Sequence, residues 1–320
     1  MTGTGLTRAR EAARQVIANK SKSFALASKL LPPEVASNVV VLYAYCRRAD
    51  DAVDLATPEE QPQRLAALRA ELDRVYSPVA VVEPELAAFQ HVVHDCEIPR
   101  LYVDELLAGM QMDVEAVDYE TLDDLALYAH RVAGVVGLMM CHVMGVRTKD
   151  ALENAAHLGI GMQFTNIARD VLEDWQRGRL YLPDALLEPH GAGDLRQRLA
   201  GADRSFPAEY APGVARATAD LLDRADAYYR SGDAGMPQLS LRCGLAVRTA
   251  RHVYSAIGAQ VRAQGCNPLA GRAVVPGRRK LWLAARALWE TAWAAPRAWL
   301  QPAPRTPDAV FEPERLVIRS

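Results

Sequence analysis

Apolar residues recur at three- and four-residue spacing along nearly the whole chain of 320 residues. Such spacing places them on one face of a helix, and no run of alternating residues typical of a strand stands between turn signals. The pattern therefore predicts an all-α fold. The predicted helices span about residues 7–19, 33–56, 60–75, 83–95, 101–115, 121–145, 149–174, 212–230, 238–263 and 278–295.

The connections between these helices are richer in Pro, Gly and polar residues, but none is long enough to separate two domains. Hydrophobic residues make up 50% of the chain, which is enough for one large buried core. We therefore predict a single helical domain over residues 1–300 and a flexible, Pro-containing tail over residues 301–320.

The charge and cysteine content narrow the classes of protein. The chain carries 37 Lys and Arg against 39 Asp and Glu, so no basic surface for nucleic acid is expected. Five cysteines form no CxxC pair and are too sparse for a disulfide-stapled domain, which predicts a reduced, cytoplasmic location. The N-terminus lacks the apolar run of a signal peptide, and no transmembrane span is expected.

Two of the predicted helices each carry a stripe of polar residues. The first stripe comprises Tyr43, Arg47, Asp50 and Asp54, within an arc of about 60°. The second comprises Gln163, Asn166, Asp170 and Asp174, within an arc of about 80°. Both are embedded in apolar sequence, so each pair of carboxylates is predicted to lie on one face of a largely buried helix.

Paired carboxylates repel one another, and a divalent cation relieves that repulsion. Carboxylate and amide oxygens suit Mg²⁺, which usually keeps some water ligands and shares the phosphate oxygens of a substrate. Taken alone, the first stripe also fits a solvated face on which Arg47 and Arg48 pair with the acids. The recurrence of the pattern, with Arg, Gln and Asn in phase, favours a site for a metal ion and a diphosphate.

The sequence resembles the squalene and phytoene synthase family of head-to-head prenyl synthases over nearly its whole length, and most of all the bacterial phytoene synthases. The residues that carry the resemblance are Ser21-Lys22-Ser23-Phe24, the runs Tyr43 to Asp54, Tyr128 to Met140 and Gln163 to Asp174, and Arg177 to Pro183. The resemblance implies an isoprenoid-synthase-type helical bundle with a central active-site cavity.

The resemblance also implies roles for individual residues. Asp50, Asp54, Asp170 and Asp174 resemble the Mg²⁺-binding carboxylates, assisted by Asn166. Arg47, Gln163 and Arg169 resemble diphosphate contacts, Tyr43 the tyrosine at the reacting centre, and Tyr254 and Arg272 further substrate contacts. Ser21, Lys22, Ser23 and Phe24 resemble a segment that closes over a diphosphate.

The implied reaction joins two geranylgeranyl diphosphates through a cyclopropyl diphosphate to phytoene, with release of two diphosphates, in carotenoid biosynthesis. Mg²⁺ is the implied cofactor, with Mn²⁺ able to substitute, and a phytoene desaturase is the implied downstream partner. The GxGxxG motif of nicotinamide enzymes is incomplete, so no nicotinamide is expected. The alternatives are a squalene or dehydrosqualene synthase that uses farnesyl diphosphate and, more remotely, an inactive helical assembly factor.

Three features keep two interpretations each. Gly134 and Gly137 admit either an isoprenoid chain or a close-packed helix, and the resemblance favours substrate contact. Residues 177–183 form either a strap over the site or an ordinary helix exit. Trp282, Trp289 and Trp293 share one helical face behind Arg278, Arg279 and Lys280, which fits either an anchor at the inner face of a membrane or packing on the bundle.

Overall fold

The computed structural model describes residues 3–20, 22–146, 148–199, 201 and 204–298, and all regular structure in these ranges is helical. The predicted all-α class is confirmed, whereas the tail predicted over residues 301–320 lies outside the described residues. The helices are α1 (Gly3–Lys20), α2 (Lys22–Ser28), α3 (Pro33–Asp54), α4 (Gln61–Val75), α5 (Pro84–Asp95), α6 (Arg100–Val114), α7 (Leu122–Ala129), α8 (Val135–Val143), α9 (Lys149–Gln176), α10 (Asp184–Leu187), α11 (Leu195–Leu199), α12 (Ala211–Gly235), α13 (Leu241–Ala263) and α14 (Gly277–Ala298).

Local sequence explains where several helices begin. α3 and α5 start at Pro33 and Pro84, whose fixed φ suits the first helical position and whose missing N–H costs no hydrogen bond there. α7 starts with a capping box in which Thr121 and Asp124 bond each other's backbone N–H. These residues fix where α3 and α7 begin, and both helices contribute to the site described below.

Helix α9 forms the centre of the bundle. It packs against α12 on one side and against α8, α13 and the π turn His130–Gly134 on others. The approach to the π turn and α8 is close because glycine occupies the crossing points. A Cβ at Gly159 would lie 2.4 Å from the Ala133 carbonyl oxygen, and one at Gly137 would lie 2.3 Å from that of Ala155. Any side chain there would push α9 away from its neighbours.

Several short elements escape the sequence pattern, among them α10 and α11, which have four and five residues. Helix α2 has only seven residues, too few to show a clear period of 3.6, and was not predicted. The helix predicted over 121–145 is interrupted by the five-residue π turn His130–Gly134. The sequence pattern does not reveal this turn, because a π turn adds a residue without changing the apolar character of the segment.

The continuous helical segment Leu122–Val143 is long and apolar enough to span a membrane, with a mean hydropathy of 1.3. Of its most apolar window, 61% is buried inside the bundle, where Leu125, Leu138 and Met139 are fully enclosed. A core helix of a globular bundle has the same composition, so this segment serves as core here.

Candidate active site

A cavity of about 450 Å³ lies inside the bundle, bordered by residues of α1, α2, α3, α6, α8, α9 and α13. Most of its wall is apolar, for example Leu106, Met110, Val136, Met140, Met162 and Val247. Its polar end is formed by Tyr43, Arg47, Asp50, Asp113, Gln163 and Asn166. The cavity therefore offers a mostly apolar space that ends in polar and charged groups.

Two hydrogen bonds join α13 to the turn between α2 and α3. Arg242 donates from Nε to the Leu30 carbonyl at 3.1 Å and from Nη2 to the Leu31 carbonyl at 3.0 Å. Leu31 and Leu239 border the cavity beside this contact. The two hydrogen bonds satisfy carbonyls of the turn that follows α2 and hold this turn against α13.

The first polar stripe lies on α3 as predicted. Arg47 donates from Nη1 to Oδ2 of Asp50 at 2.7 Å and from Nη2 to Oδ1 of Asp51 at 2.5 Å. Arg48 faces away from the cavity and pairs with Glu71. The ion-pair interpretation of this segment thus applies to both Asp50 and Asp51 through Arg47, and Asp50 also borders the cavity.

The second stripe lies on α9, where Gln163 and Asn166 border the cavity and Asp170 and Asp174 follow at successive turns. Arg169 donates to both carboxylate oxygens of Asp170, at 2.7 Å from Nε and 2.5 Å from Nη2. Arg272 reaches the same carboxylate at 3.3 Å. The structure therefore brings Arg169 and Arg272, 103 residues apart in sequence, to one acid.

Residues 177–183 form a strap that crosses the open side of the site. Gly178 adopts φ +79°, a left-handed conformation that turns the chain out of α9. Arg179 then donates to Asp54 at 3.2 Å, and the Tyr181 hydroxyl donates to Asp113 at 2.7 Å. The strap interpretation of this segment is therefore the one that the structure supports.

Asp113 on α6 is a residue of the site that the sequence analysis missed. It accepts hydrogen bonds from the hydroxyls of Tyr181 and Tyr128, the latter at 3.0 Å, and the two rings stack with centroids 5.0 Å apart. Asp113 lies three residues after Met110 and seven after Leu106, on the face of α6 that borders the cavity. This helical spacing was the one signal in the sequence that placed an acid on the same face as these apolar residues.

The pKa values of three carboxyls are raised, first by burial. For Asp50 the next cause is the nearby charge of Asp54, and its pKa rises to about 6. For Asp174 the next cause is the nearby charge of Asp170, and its pKa rises to about 7. Burial also raises the pKa of Asp113, which in turn raises the pKa of both other groups. The two stripes face a common space, because Arg47 and Asp50 of the first and Gln163 and Asn166 of the second border the same cavity.

Burial is the first cause of the pKa shifts of Asp50 and Asp174, and the charge of a neighbouring carboxylate, which the nearby arginines neutralise only partly, is the second. A divalent cation would reverse them, and the available ligands are carboxylates with the amide of Asn166, the oxygen donors that such ions prefer. Within the described residues, no group of three or more His, Cys, Asp or Glu is close enough to hold a metal ion by itself.

Aromatic side chains cover the polar end. Phe24 of α2 lies between Tyr43 and Tyr254, with ring centroids 5.7 and 5.5 Å away. Burial raises the pKa of Tyr254 to about 12, so its hydroxyl stays protonated at neutral pH. Ser21 lies outside the described residues, and of Lys22 and Ser23 only the backbone in α2 is described.

The two glycines predicted to contact substrate lie where helices approach closely. Gly137 borders the cavity and also packs on the backbone of α9. A Cβ at Gly134 would lie 2.6 Å from Nδ1 of His130 and 3.3 Å from the Ala156 carbonyl oxygen. Gly134 and Gly137 therefore both allow close packing of helices. Their contact with substrate remains a prediction.

Arg196 on α11 holds the strap in place without touching the cavity. It is 14% exposed and donates to five acceptors: Asp184, Asp118 and the carbonyls of Leu180, Tyr119 and Leu182, at 2.9, 3.0, 3.1, 3.2 and 3.0 Å. Two of these carbonyls belong to the strap that carries Arg179 and Tyr181. Arg196 is thus a positioning residue for both side chains.

We expect Arg196→Lys to lower kcat about tenfold while KM changes little, because an ammonium cannot reach all the acceptors of a planar guanidinium and buried carbonyls lose partners. The exposed Arg198 on the same helix is the matched control, and Arg198→Lys should leave kcat unchanged. Steady-state kinetics on both variants test the expectation, and equal kcat values would contradict the positioning role.

Comparison with known proteins agrees with this geometry. A family model described as squalene/phytoene synthase matches residues 17–279. The 15-cis-phytoene synthase of Paracoccus sp. (strain N81106 / MBIC 01143) is 37% identical over 285 residues, 87% of this chain and 90% of that protein. The corresponding enzyme of Enterobacter agglomerans is 42% identical over 250 residues, 75% of this chain and 82% of that protein.

Among solved structures, a dehydrosqualene synthase in complex with a ligand superposes with a TM-score of 0.80 at 27% identity, over 90% of this chain and 98% of that chain. The resemblance inferred from the motifs is confirmed, and the chain belongs to the squalene/phytoene synthase family.

Proposed function

We propose that this enzyme joins two molecules of geranylgeranyl diphosphate head to head to give phytoene and two diphosphates. The observation that carries the proposal is a cavity with a mostly apolar wall and a polar end that includes Asp50, Gln163 and Asn166. Asp54, Asp170 and Asp174 lie further along the same two helices. Such a shape suits a ligand with a polyprenyl tail and a diphosphate head. Relatives 37% and 42% identical that are named 15-cis-phytoene synthase support the C20 substrate.

We propose Mg²⁺ as the ion held by Asp50, Asp54, Asp170, Asp174 and Asn166, with Mn²⁺ able to substitute. When bound, the ion neutralises charge that develops on a departing diphosphate. Arg47, Arg169 and Arg272 add positive charge beside the same carboxylates. The side chains therefore concentrate positive charge on the leaving group, which is where loss of diphosphate needs it.

In the proposed reaction one substrate loses diphosphate to leave an allylic cation, and a double bond of the second attacks it to close a cyclopropane and release a proton. The cyclopropyl diphosphate then loses its own diphosphate, rearranges and loses a second proton. Each cation requires a dry wall without reactive nucleophiles. Burial raises the pKa of the wall thiols of Cys46 and Cys141 to about 12, so both remain weakly nucleophilic thiols.

The second candidate is a dehydrosqualene synthase that uses farnesyl diphosphate, which the structural similarity to such an enzyme favours. It would use the same acids and differ in the length of tail that the cavity accepts. An inactive assembly factor is disfavoured because all four carboxylates are present and Asp50, Asp54 and Asp170 each have an arginine partner.

We expect purified enzyme with Mg²⁺ and radiolabelled geranylgeranyl diphosphate to form phytoene without added nicotinamide. Chromatography of the extracted hydrocarbon measures the product, and farnesyl diphosphate in a parallel reaction is the matched control. Turnover of farnesyl diphosphate alone would replace the proposal by its second candidate. No product from either substrate would contradict both.

We also propose a cytoplasmic location. All five cysteines, which lie within the described residues, are free thiols, as a reducing compartment permits. The phytoene desaturase implied as a downstream partner remains a prediction.

A further inference from the structure

Helix α14 is packed on one face only. Leu283, Ala287 and Thr291 are at most 6% exposed and lie on the side of α14 that packs against α13. Val253 and Ile257 of α13 belong to the same apolar cluster as Leu283. Successive members of the row on α14 are four residues apart, so they form one stripe along the helix. The opposite side of an ordinary surface helix would be polar.

The opposite side of α14 is apolar instead. Trp282, Trp289 and Trp293 are 61%, 70% and 78% exposed, and their row lies about 140° around the helix from the buried row. Trp289 and Trp293 stack on each other with ring centroids 6.3 Å apart. Leu281 and Leu288 extend this face and are more than half exposed. Packing on the bundle, one of the two interpretations from sequence, therefore does not apply to these tryptophans.

The charges on α14 are predominantly basic, whereas the whole chain has a net charge of −2. Arg278 and Arg279 are exposed at the first turn, followed by Lys280. Glu290 is the one acidic residue between Gly277 and Ala298, and it is bonded by both His252 and Arg286, at 2.7 and 2.8 Å. The exposed face thus presents indole rings and positive charge together.

We propose that the exposed face of α14 docks on the surface of an anionic lipid bilayer. Indole rings prefer the interface between headgroups and acyl chains, where the ring is buried and its N–H remains solvated. Arginine and lysine at one end add attraction to anionic headgroups. A helix with such a face lies in the plane of the membrane and does not cross it.

Docking on this face places the cavity close to lipid. Helix α13 lies between the two, since one of its sides packs on α14 while Val247, Ala250 and Tyr254 of the same helix border the cavity. Packed helices have axes about 10 Å apart, so a single layer of helix separates the apolar wall from the bilayer. Substrates with polyprenyl tails and an apolar product would travel a short distance between them.

The test uses full-length protein and sedimentation with vesicles of phosphatidylcholine alone or with phosphatidylglycerol. We expect the anionic vesicles to bind at least about tenfold more tightly, because each basic residue near the surface contributes roughly 1 kcal/mol. Combined Trp282→Ala, Trp289→Ala and Trp293→Ala should weaken binding by a similar factor. Combined Arg278→Glu and Arg279→Glu should remove the preference for anionic lipid.

The matched control replaces three exposed apolar residues elsewhere, Val79, Val82 and Leu101, by alanine, and it should bind as the unaltered protein does. Far-ultraviolet circular dichroism verifies that each variant keeps its helical fold, and none of these residues borders the cavity. The binding measurement itself needs no catalysis, so it is independent of the proposed reaction.

Equal binding by the tryptophan variant and the control would overturn the proposal. So would a dimer in size-exclusion chromatography that the tryptophan variant abolishes while vesicle binding is absent, because the face would then join two copies of the chain.

Discussion

Replacing Asp170 by asparagine is expected to lower kcat/KM about a thousandfold, because the change removes a charge from the point where a diphosphate must be neutralised. Asp170 accepts hydrogen bonds from Nε and Nη2 of Arg169 and from Nη2 of Arg272. It therefore organises the positive charge on this side of the site. Asparagine keeps the shape but donates from its nitrogen, which opposes one arginine donor. Asp50→Asn on the facing stripe should have an effect of the same order.

Kinetics across a titration of Mg²⁺ is the measurement for these two variants. The concentration of Mg²⁺ that gives half-maximal rate should rise for each of them, which a merely structural defect would not produce. Asp73→Asn is the matched control, because Asp73 is 65% exposed and pairs with Arg100 far from the cavity. Full activity of either site variant would exclude the metal-binding role.

Asp113→Asn has the second largest expected effect, a loss of about a hundredfold in kcat/KM. The Asp113 carboxylate accepts two tyrosine hydroxyls, and an asparagine nitrogen would leave one buried hydroxyl without an acceptor, at a cost of about 1–3 kcal/mol. The same substitution removes the charge that Arg179 faces. Both effects displace the strap from Asp54.

Tyr181→Phe separates the two contributions. It removes one of the hydrogen bonds to Asp113 and keeps the carboxylate, so a smaller loss of about tenfold is expected. Asp123→Asn, an exposed acid on α7, controls for the change of charge. If Asp113→Asn and Asp123→Asn were equally active, Asp113 would be an ordinary core residue.

Much of the fold was predictable because the helices are long and amphipathic. Each long helix predicted from the periodicity has a counterpart, and α9 extends two residues beyond its predicted end. Helix α2 escaped because seven residues give too few repeats, and its position over the cavity depends on tertiary contacts such as those of Arg242.

The two acidic stripes were predictable for the same reason, since four polar residues in phase on a helix must share a face. Asp113 was not, because a single acid on an apolar helix acquires meaning only through Tyr128 and Tyr181, which come from other segments. The orientation of Trp282, Trp289 and Trp293 was equally hidden, because α14 is apolar on two sides and only packing on α13 selects the buried one.

The ion pairs of the site also bear on how the protein is made. Arg179 follows its partner Asp54 by 125 residues in the sequence, and Arg272 follows its partner Asp170 by 102 residues. A nascent chain that has emerged only through α9 holds the acidic stripes without either arginine, and their mutual repulsion opposes docking of α3 and α9. The pair between Arg272 and Asp170 can therefore form only after α13 has been synthesised, and salt or divalent ions that screen the carboxylates should speed refolding of the purified chain.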